Sequence, residues 1–142
     1  MELEEEIKRY LSRNACDKFS QSDTLATIMA KWHEPYGIEF CKKLGYPDIE
    51  FVRRHKSELE NYGVYVDRND LIIENRNVVL FNCVANLSFQ RPNQRYSVIL
   101  YYDNVITISA KEYAFVVCNT IYPQNSVVTE KDTSAIVNIL KR

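Results

Sequence analysis

Ser97-Val98-Ile99-Leu100-Tyr101-Tyr102-Asp103-Asn104-Val105-Ile106-Thr107-Ile108-Ser109-Ala110 is the stretch that decides the fold class. Two runs rich in β-branched and aromatic residues flank Asp103-Asn104. The second run alternates, with Ile106, Ile108 and Ala110 on one side and Val105, Thr107 and Ser109 on the other. A period of two marks a strand with two unlike faces. Asn and Asp tolerate the left-handed backbone of a tight turn, so Asp103-Asn104 reads as a turn without glycine.

The same pattern extends in both directions. Val64–Val66, Leu71–Ile73, Val78–Phe81, Val84–Phe89, Ser97–Tyr102, Val105–Ala110, Ala114–Cys118, Val127–Thr129 and Ala135–Leu140 read as strands. Between them lie Asn69-Asp70, Asn75-Arg76-Asn77, Pro92-Asn93-Gln94, Lys111-Glu112 and Pro123-Gln124-Asn125. Short strands with a turn about every ten residues predict a sheet, a barrel or a short β-solenoid. A weak repeat of Asn followed by apolar alternation, at Asn77, Asn104 and Asn125, raises the solenoid option. Few charges lie between Val98 and Val128, which predicts cover on both faces there.

Upstream of Gly63 the period changes to that of helices. Leu3, Ile7, Tyr10 and Leu11 share one helical face, with Glu4, Glu5 and Glu6 at its start, where the helix dipole favours acids. Ser22 or Asp23 is the expected cap of a second helix carrying Leu25, Ile28, Met29 and Trp32. Pro35 opens a third, which Gly45 ends, and Pro47 or Asp48 opens a fourth, which Gly63 closes. The expectation is an α+β fold: helices over about 3–62, then an all-β part over about 64–140. No linker interrupts the chain, so residues 1–142 read as a single domain, with a helical cap 1–63 and a β-rich part 64–142.

A chain of 142 residues, 46% of them hydrophobic, can bury a core without staples. Its net charge of -1 gives no whole-molecule field to draw nucleic acid or anionic membranes. No apolar run approaches the roughly 20 residues of a membrane span. The acidic start Met1-Glu2-Leu3-Glu4-Glu5-Glu6 is unlike a signal peptide, so a cytoplasmic location is expected. Cys16, Cys41, Cys83 and Cys118 sit among apolar neighbours and lack zinc or redox spacing, so they read as reduced, buried thiols.

Around the join, Gly37-Ile38-Glu39-Phe40-Cys41, Tyr46-Pro47-Asp48-Ile49-Glu50-Phe51-Val52-Arg53 and Tyr62-Gly63-Val64-Tyr65-Val66-Asp67 resemble a group of small uncharacterised bacterial proteins. In that group a short helical segment ends in a Tyr-Gly-Val turn and stacked, Asn-rich β segments follow. The resemblance implies a bacterial accessory protein and carries no catalytic residue with it.

The residues themselves point to no reaction. Gly37, Gly45 and Gly63 are too scattered to cradle a phosphate. His33 and His55 lack a second ligand at metal spacing, and no carboxylate pair is placed for glycoside chemistry. No catalytic, cofactor-binding or metal-binding residue is assigned, and an enzyme ranks third among the functions considered. Second is nucleic-acid binding through a local patch of Lys42, Lys43, Arg53, Arg54 and Lys56. First is a non-catalytic protein-interaction module, self-association included. Tyrosine is favoured at interfaces and open sheets offer edges, so Arg91, Arg95, Tyr101 and Tyr102 are its candidate residues.

Overall fold

The computed structural model describes residues 2–14, 17–90 and 95–142. It divides into two compact units, Met1–Tyr46 and Pro47–Arg142.

The first unit is helical: α1 is Leu3–Arg13, α2 is Leu25–Trp32 and α3 is Pro35–Leu44. Leu3, Ile7, Leu25, Met29, Trp32 and Ile38 are buried, as their helical spacing requires. The cap of α2 is Thr24, whose side chain accepts from the Thr27 N–H at 3.1 Å, and not Ser22 or Asp23. Asp23 instead pairs with Lys31 at 2.7 Å. Gly37 lies against the Lys31 carbonyl, where any β-carbon would collide, so α2 and α3 meet at backbone contact.

The second unit begins with α4, Ile49–Arg54, and α5, Lys56–Glu60. Asp48 caps α4 through the Phe51 N–H at 2.8 Å. The expected fourth helix is therefore two, broken at His55, whose φ of -111° and ψ of 24° leave the helical region. Nine strands follow: β1 Val64–Val66, β2 Leu71–Glu74, β3 Val78–Phe81, β4 Val84–Phe89, β5 Arg95–Tyr101, β6 Val105–Ala110, β7 Phe115–Thr120, β8 Ser126–Lys131 and β9 Ile136–Lys141. They form two sheets, β1-β3-β5-β7-β9 and β2-β4-β6-β8, in which every pairing is parallel. Each strand pairs with the one two places along, so the chain coils between the sheets. Of the three expected architectures, this is the short β-solenoid.

The coil length is read from the register. Ile99 pairs with Asn119, 20 residues on, and Ile106 with Val127, 21 on. The first coil is shorter, since Leu71 pairs with Ala85, 14 on. Side chains facing the core stack in columns through successive coils. One runs Val78, Val98, Cys118, Ile139 and another Ala85, Ile106, Val127. Leu80, Leu87, Phe89, Tyr96, Leu100 and Ile108 fill the space between the sheets, each buried aliphatic contributing about 1.5–3 kcal/mol over exposure. The other face of the five-stranded sheet is buried too: Val66, Val79, Phe81 and Ile99 have no exposed surface. Helices α4 and α5 pack on β1.

The corners do without glycine. Asp67, Asn75, Asn82, Tyr102, Glu112 and Tyr113 hold φ between 51° and 64°. Tyr102 is thus a turn residue just past β5. Side-chain amides tie one coil to the next. The Cys83 N–H donates to Asn104 Oδ1 at 2.7 Å, and the Asn104 N–H donates to Asn125 Oδ1 at 3.2 Å. Asn104 Nδ2 donates to the Tyr101 carbonyl at 2.7 Å and to the Leu80 carbonyl at 3.2 Å. Two of the three asparagines in the sequence repeat therefore form one ladder. Asn77 lies at a different corner, where its Oδ1 accepts from the Ser97 N–H.

Candidate functional site

The columns change character at the last coil. Where Leu87 and Ile108 precede it, the column continues with Thr129; where Phe89 and Ala110 precede it, Lys131 follows. Val127, Val137, Ile139 and the small, buried Ala135 carry the apolar core to this end, and Ile139 is 39% exposed. Val128 is 56% exposed on the outer face of β8, and Ile136 and Leu140 are exposed on β9.

Both end strands are paired on one side only among the described residues. The Ser126 and Asp132 N–H groups donate back to Asn104 and Ala110, and those of Ile136 and Arg142 to Ala114 and Thr120. Amides alternate in direction along a strand, so those of Val127, Thr129 and Lys131 in β8, and of Val137, Ile139 and Lys141 in β9, point to the open side. This row of unmet donors and acceptors on two sheets can template pairing with another chain. Between the two edges lies a cavity of about 330 Å³ lined by residues including Tyr122, Val127, Ile139, Lys141 and Arg142.

Charge is uneven along this end. Lys141 and Arg142 stand at one side, and Glu130, Lys131 and Asp132 at the other. Asp132 accepts from Ser134 and from the Glu112, Ser134 and Ala135 N–H groups, which hold its carboxyl down at about 2. It is a carboxylate at any ordinary pH. A wider groove of about 540 Å³ crosses the far ends of β4, β6 and β8, where Ser88 and Ser109 lie in register between Glu74 and Glu130. Among the described residues no three His, Cys, Asp or Glu side chains cluster to hold a metal ion. No described helix is long and apolar enough to cross a membrane.

The residues singled out in the sequence fall elsewhere. Arg91 lies outside the described residues. Arg95 is exposed at the first position of β5. Tyr101 is only 4% exposed and stacks on Phe81 at 4.7 Å, which makes it a packing residue rather than a surface contact. Tyr102 is half-buried and stacks on Tyr122 at 5.0 Å; burial raises its hydroxyl pKa.

Lys42 and Lys43 are exposed in the last turn of α3, in the first unit, while Arg53, Arg54 and Lys56 belong to the second. Arg53 grips Asp67 with two bonds, at 2.7 and 3.1 Å, and also bonds Glu50 at 3.1 Å. Its charge is thereby matched within the fold. Arg54 lies over the Phe51 ring at 5.7 Å. Cys83 and Cys118 are buried free thiols, and burial pushes Cys118 up to about 12. Cys41 is half-buried and Cys16 lies outside the described residues.

Sequence reasoning missed Val128, Ile136, Ile139 and Leu140. A signal existed: the inward set of the eighth strand, Val127, Thr129 and Lys131, loses the apolar character of Ile106, Ile108 and Ala110. No family model matches this chain, and neither a curated protein nor a solved structure shows significant similarity to it.

Proposed function

We propose that this chain is a non-catalytic protein-interaction module of a bacterial cytoplasm, and that it engages its partner edge-on through β8 and β9. One observation carries the proposal: among the described residues β8 and β9 are each paired on one side only, around a core that is still partly exposed. Main-chain pairing supplies affinity in such a contact, and the side chains of Val128, Ile139 and Leu140 supply apolar area.

Thr129→Pro tests it. The Thr129 N–H points to the open side, so proline there removes a docking bond and leaves the ladder to β6 intact. The tagged chain and the variant are compared by capture from nuclease-treated lysate and by far-UV circular dichroism. The expected result is an equal fold with the bound partner lost from the variant. A partner retained by a folded Thr129→Pro chain refutes the proposal.

A further inference from the structure

We draw no further inference here: the strongest candidate, the groove of about 540 Å³ across the far ends of β4, β6 and β8, rests on two serines, Ser88 and Ser109, set in register between the exposed carboxylates of Glu74 and Glu130, and nothing in the structure shows what it would bind.

Discussion

Replacing Asn104 by alanine is expected to be among the most damaging single truncations in the solenoid. The side chain has no exposed surface and takes part in four contacts: it accepts from the Cys83 N–H and donates to the carbonyls of Leu80 and Tyr101 and to Asn125 Oδ1. Alanine leaves the Cys83 N–H without its acceptor at a buried corner, which costs about 1–3 kcal/mol. Two carbonyls and one amide oxygen each lose a donor as well, adding roughly 1–2 kcal/mol in all, because carbonyls retain a second lone pair. The sum is about 3–5 kcal/mol, a large share of the about 5–15 kcal/mol that holds an ordinary domain together.

Urea unfolding followed by far-UV circular dichroism reads this directly. With a slope of about 2 kcal/mol per molar, the midpoint falls by about 2 M. A drop below about 0.5 M would refute the claim that the ladder bears this load.

Asn104→Asp sharpens the test. It keeps the acceptor for Cys83 but aims a carboxylate oxygen at three oxygens. Burial and those oxygens raise its folded pKa above the ordinary value of about 3.9, so the defect is greatest above that raised pKa. It shrinks as the pH falls and the carboxyl becomes a donor. A pH-independent defect would contradict the assigned geometry.

Gly63 and Gly45 both hold positive φ, but a β-carbon at Gly63 would stand 2.6 Å from the Asn77 carbonyl and one at Gly45 meets nothing. Gly45→Ala should cost about 1 kcal/mol and Gly63→Ala clearly more, checked by paired urea titrations. Cys83 and Cys118 should resist a thiol reagent at pH 8 until urea is added, since burial raises both thiols; rapid native labelling would overturn this. Burial lowers His33 from 6.5 to about 4. The unfolded chain therefore takes up this proton first, and the His33 contribution to stability declines as pH falls from about 6.5 to about 4. An imidazole titration by NMR with a midpoint near 6.5 would refute it.

Most of the fold was legible because its period was. Alternation in Val105–Ala110 survives unchanged in β6, and all nine expected strands are present with ends moved by a few residues. What periodicity could not supply was pairing. A strand with two apolar faces looks the same whether its neighbour is parallel or antiparallel, so sheet, barrel and solenoid stayed level. Only the weak repeat at Asn77, Asn104 and Asn125 raised the solenoid, and of these Asn104 and Asn125 stand one coil apart at the same corner. The break at His55 was illegible because no residue there opposes a helix. The site was harder still. Tyr101 and Tyr102 were chosen for their chemistry, but exposure depends on which strand ends a sheet, and that is a property of the pairing order. Arg53 resembled a free cation until Asp67, just past α5 and β1, proved to hold it.

The direction of the corner bonds also bears on how the chain is made. The amides of Cys83, Asn104, Glu112 and Tyr113 all donate to side chains about one coil later in the sequence: Asn104, Asn125, Asp132 and Ser134. During synthesis from the N-terminus, each of these corners waits for residues still unmade. The sealing of these corners therefore trails elongation by about one coil, whereas the Gln90 and Ser97 amides donate back to Asn75 and Asn77 and can be sealed as they are made.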